Sequence, residues 1–325
     1  MTVLVTGGDG FIGSFLVEEL VARGNKVRCL VLEGKPLQHL RPGLAEICYG
    51  DICRPETLED AVKGVESIYH LAGVKTAWDD ATYFRVNYEG TKNLLGALLQ
   101  GHQRIGRFLH VSSQAAAGPS PDGHPITEND TCHPLTSYGK SKRSAEEYLL
   151  TNNHRVPITI VRPTLVYGPR SVEIELLFAI MKWGLMPLIR KHKQVINLLY
   201  VRDVVEGIIL AAEHEQASGQ IYFITSQDRY TWQEIFEQSL RLQNRNVRLM
   251  PIPWAAIKLA AGMIKSYRRV RGLPSNLIDD KMNELLEQHW VCSGQKARRD
   301  LGFDAKTSLQ KGLEETIRWY HETGR

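Results

Sequence analysis

Apolar runs and amphipathic runs alternate along the first half of this chain. Val3-Leu4-Val5 is a short apolar run of β-type residues, and 11–23 repeats its apolar positions at helical spacing before stopping at Gly24. The same reading gives strands at 2–6, 26–32, 45–49, 66–71, 108–112 and 158–161. Between them it gives helices at 11–23, 56–63 with Pro55 in the first turn, 82–99 and 137–151. Strand and helix in regular alternation predict an α/β fold, a doubly wound parallel sheet with helices on both faces. Ligands of such sheets sit at the carboxyl ends of the strands.

After Pro163 the rhythm changes. Helices are predicted at 172–184, 201–214, 231–243 and 309–320, and strands at 196–201 and 220–225. Thr231 and Glu234 form a capping box, and Ser308 is a candidate N-cap. The organisation expected is a dinucleotide-binding unit of 1–168 and 195–226, with a smaller, sequence-interleaved substrate lobe of 169–194 and 227–325. The 325 residues give room for both.

Composition narrows the picture by exclusion. A net charge of +4 without a basic block gives no nucleic-acid footprint. Cys29, Cys48, Cys53, Cys132 and Cys292 lack metal-ligand spacing, so no metal is expected and a reducing compartment fits. Met1 runs straight into the first strand, which leaves no room for a leader, and the expected location is cytoplasmic. The segment 253–271 is apolar with a basic end at Lys265, Arg268, Arg269 and Arg271. It is expected to pack over the substrate lobe, interfacial membrane contact being the alternative.

Two local patterns carry chemistry. Gly7 and Gly10 lie between the first strand and the first helix and Gly13 in that helix's first turn, where a tight turn and a helix N-terminus suit a pyrophosphate. Tyr138 and Lys142 stand four apart in a helical segment, on one face. An ammonium beside a phenol favours the phenolate, so such a tyrosine can exchange a proton with a carbonyl or carbinol oxygen. Ser112 and Ser113 end a strand where a hydroxyl would meet the substrate oxygen.

Taken together these residues resemble the short-chain dehydrogenase/reductase superfamily, extended branch, which includes NAD-dependent epimerases and dehydratases. The resemblance covers nearly the whole chain. Thr6-Gly7-Gly8-Asp9-Gly10-Phe11-Ile12-Gly13 is similar to its cofactor loop, Gly50-Asp51-Ile52 to its adenine segment and His70-Leu71-Ala72-Gly73 to the strand end beside the adenine ribose. Asn87-Tyr88-Glu89-Gly90-Thr91, Tyr138-Gly139-Lys140-Ser141-Lys142, the run from Arg162 to Pro169 and Tyr200-Val201-Arg202-Asp203 match further landmarks. The resemblance implies a Rossmann sheet, Tyr138 as general acid/base, Lys142 tuning it and Ser113 aligning the substrate. It implies cofactor contacts from Gly7, Gly10, Phe11, Ile12, Gly13, Asp51, Ile52, Leu71, Ala72, Gly73, Ser112, Tyr138, Lys142 and Pro163. Substrate contacts are expected from Lys75, Thr164, Tyr167 and Arg170, and a homodimer is expected.

Departures from the family pattern point to one reaction. Ser113-Gln114-Ala115 lacks the carboxylate that dehydratases use for elimination. Ala115 and Arg170 stand where 3,5-epimerases carry Cys and His. Thr164-Leu165-Val166-Tyr167 lacks the Asn typical of nucleotide-sugar enzymes, and the pattern is more like dihydroflavonol reductases and 3β-hydroxysteroid dehydrogenases. The expected activity is hydride transfer between nicotinamide and a small, largely apolar ketone or secondary alcohol. A nucleotide-sugar 4-epimerase with tightly bound NAD and a non-catalytic dinucleotide sensor are the alternatives. Glu33, 20 residues after Gly13, occupies the acidic ribose position, so NAD is expected, with NADP the alternative if Lys35 offsets the carboxylate.

Overall fold

The computed structural model describes residues 1–34, 36–101, 105–172, 174, 185–189, 194–243 and 248–323. Six strands and five helices build its first half: β1 Thr2–Thr6, α1 Phe11–Ala22, β2 Lys26–Val31, β3 Glu46–Tyr49, α2 Glu59–Val62, β4 Ser67–His70, α3 Asp80–Tyr83, α4 Gly90–Gln100, β5 Arg107–Val111, α5 Ser137–Thr151 and β6 Ile158–Pro163. With Gln220–Ile224 they form a seven-stranded sheet in the order Gln220–Ile224, β6, β5, β4, β1, β2, β3, every pair parallel. The order reverses between β1 and β4. That switch point opens a crevice beyond the carboxyl ends of the strands.

Period two in β1 explains the two covered faces. Val3 and Val5 are buried with Leu16 and Leu20 of α1 and with Val204 and Ile208 of the helix Val201–Glu213. Leu4 points the other way and is buried with Leu94 and Leu98 of α4 and Leu149 of α5. A strand buried on both faces reads as a continuous apolar run, as Val3-Leu4-Val5 does.

Two expected helices are irregular. The one at 56–63 is a 3-10 turn, Pro55–Thr57, followed by α2. The Thr57 hydroxyl donates to the Arg54 carbonyl at 2.8 Å and competes with the helical ladder. The one at 82–99 starts earlier, where the Asp79 carboxylate accepts from the Thr82 N–H at 2.7 Å, and passes through a π-helical turn, Phe84–Glu89, before α4. The expected helix at 172–184 lies outside the described residues apart from Val172 and Ile174, and so does Lys35.

A smaller sheet follows Pro163. Val195–Tyr200 is its centre, parallel to Leu165–Tyr167 and His289–Trp290 and antiparallel to Arg229–Thr231. The 195–226 segment is thus shared: Gln220–Ile224 joins the large sheet, while Val195–Tyr200 belongs to the small one. The Thr231 capping box forms as expected. The segment 253–271 forms the helix Trp254–Val270, which has no fully buried residue; its packing on the lobe is therefore one-sided.

Candidate active site

The crevice begins at the glycine turn. Gly7 has φ +69, and a Cβ there would lie 2.9 Å from the Ala72 nitrogen; a Cβ on Gly13 would lie 2.0 Å from the Gly7 carbonyl oxygen. Only glycines let loop, helix and β4 approach this closely. Gly10 is the N-cap of α1 and offers no side-chain cap. The first amides of α1, at Phe11, Ile12 and Gly13, are therefore left for an anion.

A neutral relay fixes the strand ends beside that turn. The Ala72 N–H donates to Thr6 Oγ1 (3.1 Å), and Thr6 Oγ1 is 2.7 Å from His70 Nδ1. His70 Nε2 is 2.8 Å from Thr91 Oγ1, which donates to the Asn87 carbonyl (2.7 Å). Thr6 and Thr91 each spend their proton in this chain only if His70 carries its own on Nε2. Burial, helped by the charge of Lys142, pushes the His70 ring down to about 3, so it is neutral at working pH. The Asn87 side chain accepts from the Val74 N–H (2.8 Å) and donates to the Val74 carbonyl (3.0 Å) and Ser141 Oγ (2.9 Å). It ties the 71–74 segment to α5. The sequence landmark contained Asn87, but its positioning role was not read there.

At the adenosine end, Asp51 follows β3 and accepts from the Cys53 N–H at 2.8 Å, and Ile52 is buried beneath α4. Glu33 is exposed in the turn after β2, whose last residue is Val31 rather than Leu32.

The chemical end is built by α5. Thr136 caps it, accepting from the Gly139 N–H at 3.0 Å. Tyr138 is half-buried, its ring 6.3 Å from that of Tyr83. One turn on, Lys142 is buried and donates from Nζ to the Val111 carbonyl at 2.7 Å. Burial lowers its pKa to about 8, partly opposed by Glu146. This bond joins α5 to the end of β5, where Ser112 and Ser113 follow. Ser113 Oγ accepts from the Ala115 N–H at 3.1 Å, which leaves its own proton free to be donated.

Ser112 Oγ, Gln114 Nε2 and Thr164 Oγ1 are buried with no hydrogen-bond partner among the described residues. Ser112 N–H donates to the Val161 carbonyl at 2.8 Å, so the ends of β5 and β6 lie side by side, with Pro163 and Thr164 following. Orphaned hydroxyls at neighbouring strand ends are what a polar group in the crevice would satisfy. Free amides at α1, a cradle closed to any Cβ and orphaned hydroxyls near Lys142 fit a dinucleotide.

The start of α5 is also gripped from outside the large sheet. The Ser137 N–H donates to Asp280 (3.0 Å), on the helix Asn276–Leu286, and Ser137 Oγ donates to Asp80 (2.6 Å). Burial pushes the Asp280 carboxyl up.

Not every expected residue joins this group. Arg170 (φ +71) donates to Ser14 Oγ (2.9 Å) and Glu18 (2.7 Å) and stacks on Phe15 at 4.4 Å, so its guanidinium belongs to α1. Tyr167 is buried against Tyr200 and faces Gly312, its centroid 5.5 Å from that of Tyr200. Lys75 is exposed on the segment after Gly73. Thr164 alone of the expected substrate residues lies at the strand ends with Ser112. The loop 114–136, which joins Ser113 to α5, is tied along its middle to other segments: the Ser120 N–H donates to the His289 carbonyl, the Ile126 N–H to the Val291 carbonyl, and the Glu128 carboxylate accepts from the Phe223 N–H at 2.7 Å.

Likeness to known proteins bears on this geometry. Residues 3–225 match the model of the NAD dependent epimerase/dehydratase family. A 3 beta-hydroxysteroid dehydrogenase/Delta 5-->4-isomerase of Mycobacterium tuberculosis is 30% identical over 98% of this chain and 90% of its own length. A 4-hydroxy-2-methyl-3-oxo-4-farnesyl-3,4-dihydroquinoline-1-oxide ketoreductase of Stigmatella aurantiaca is 29% identical over 97% of this chain and 95% of its own. The crystal structure of a UDP-glucose 4-epimerase of Thermotoga maritima has a TM-score of 0.82 with 23% identity, covering 100% of both chains; at that identity it speaks for the fold alone.

Proposed function

The chain belongs to the NAD-dependent epimerase/dehydratase family of extended short-chain oxidoreductases, and on that premise we propose that it is a dehydrogenase or reductase acting on an apolar ketone or secondary alcohol. The observation that carries the reading is the Lys142 ammonium, buried on the Val111 carbonyl one turn from Tyr138 and, among the described residues, without a carboxylate bonded to it. Such a group favours the phenolate and suits Tyr138 to release and recover a proton. Ser113 Oγ–H donates to the substrate oxygen and aligns it. The bound cofactor would supply a hydride as NADH or accept one as NAD⁺. Gly7, Gly10, Phe11, Ile12 and Gly13 would hold its pyrophosphate, Asp51, Ile52 and 71–73 its adenosine, and Ser112, Lys142 and Pro163 its nicotinamide end. Glu33 favours an unphosphorylated ribose.

Two points support an apolar substrate over a nucleotide sugar. The run Thr164-Leu165-Val166-Tyr167 lacks the Asn that nucleotide-sugar enzymes carry before the hydrophobic-Tyr-Gly-Pro element, and Gln114, buried beside Ser113, brings no carboxylate for elimination, which sets a dehydratase aside. Two relatives are named for a steroid and a farnesylated quinoline oxide, both largely apolar carbonyl or carbinol compounds. The test is NADH oxidation against apolar cyclic ketones and against UDP-hexoses, together with mass spectrometry of the purified protein for retained dinucleotide. Turnover of a ketone by protein that releases its NAD supports the reading. Retained NAD with interconversion of UDP-hexoses overturns it in favour of an epimerase.

A further inference from the structure

The longest helix among the described residues, Trp254–Val270, turns its apolar stripe outward. Trp254, Ile257, Ala261, Lys265 and Arg268 form its half-buried face. Leu259, Met263, Tyr267 and Val270, spaced by four, four and three, make one continuous stripe that is 66%, 60%, 59% and 87% exposed. Ile264 flanks it, and Leu273 extends it past the helix end, 48% and 46% exposed. A soluble helix buries such a stripe, and a contiguous exposed one marks an interaction surface.

The helix is anchored, so the exposed stripe is not a frayed end. Lys265 pairs with Asp279 at 2.6 Å. The Arg268 guanidinium lies 3.6 Å over the Trp78 ring and donates to the Pro274 carbonyl at 2.6 Å. Both tethers run toward the active site. Trp78 adjoins Ala77, whose N–H donates to the Tyr83 hydroxyl, and the Tyr83 ring faces Tyr138. Asp279 precedes Asp280, which grips Ser137.

Charge identifies the occupant. The 41 residues from Gln238 to Ile278 carry eight Lys or Arg and no Asp or Glu. Lys258, Arg269 and Arg271 are exposed around the stripe. A two-fold contact between copies would set this cationic region against itself. An anionic bilayer surface takes both parts: acyl chains for the stripe and headgroup phosphates for the cations. No described helix is long and apolar enough to cross a membrane. We propose that Trp254–Val270 docks the protein parallel to the surface of an anionic lipid membrane, with the mouth of the active site beside it.

The test is co-sedimentation of the full chain with vesicles of phosphatidylcholine and phosphatidylglycerol, against phosphatidylcholine alone. The wild type should bind the mixed vesicles, more weakly at high salt. Leu259→Glu with Met263→Glu should weaken that binding by about tenfold or more, with melting temperature and NADH affinity unchanged. Lys258→Glu with Arg271→Glu should abolish the preference for phosphatidylglycerol. Binding no better than to phosphatidylcholine alone overturns the proposal. So does a Leu259→Glu, Met263→Glu variant that binds vesicles normally but loses self-association in the ultracentrifuge, which would assign the stripe to a second copy. Vesicle binding is read without substrate, so an error in the substrate class leaves the result intact.

Discussion

Replacing Lys142 by Met should separate stability from activity. The side chain keeps its length but loses a buried ammonium and its bond to the Val111 carbonyl. Burial has lowered this group from 10.5 to about 8. A lysine whose folded pKa lies below its unfolded value binds fewer protons folded than unfolded, so its penalty on stability is full below about 8 and fades as pH rises toward about 10.5. The shift corresponds to about 3 kcal/mol at neutral pH. Lys142→Met removes that penalty but orphans the Val111 carbonyl at a cost of about 1–3 kcal/mol, so the net change at neutral pH should be small or stabilising. Between about pH 7.5 and 9.5 the wild type should gain about 2 kcal/mol relative to the variant. Urea unfolding of both proteins at the two pH values reads this difference, in which most other titrating groups cancel. Turnover should meanwhile fall by about 100-fold. A stability difference that does not change with pH, or a variant less stable by more than about 3 kcal/mol, would refute the reasoning.

Gly13→Ala places a Cβ against the Gly7 carbonyl, so α1 must shift and NADH affinity measured by calorimetry should drop about tenfold or more; unchanged affinity would remove the glycine turn from the site. Glu33→Ala should narrow a preference of NAD over NADP in paired dissociation constants, and tighter NADP binding by the wild type would remove Glu33 from that role.

How much could be read in advance follows from how local each interaction is. Val3-Leu4-Val5 was legible because a doubly covered strand writes its burial into consecutive residues. Tyr138, Lys142 and the Ser112-Ser113 strand end were legible because each depends on one helical turn or one strand. The grip of Asp280 on Ser137 spans 143 residues, and that of Asn87 on Ser141 spans 54; no local pattern announces either. Arg229–Thr231 and His289–Trp290 are too short for periodicity and exist through pairing with Val195–Tyr200. Position alone suggested Arg170 as a substrate residue, whereas Ser14, Glu18 and Phe15 hold it on α1. For Trp254–Val270 the spacing revealed an apolar face, but a face in sequence does not say which side of the helix meets the protein.

The proton transfer assigned to Tyr138 is the centre of the account. Tyr138→Phe keeps the ring and its contact with Tyr83 and removes only the hydroxyl. With an apolar ketone that the wild type reduces, NADH affinity should persist while turnover falls by about 100-fold or more, and the titrating limb of the wild-type rate profile should vanish. Near wild-type turnover by Tyr138→Phe, with the limb intact, would contradict the assignment.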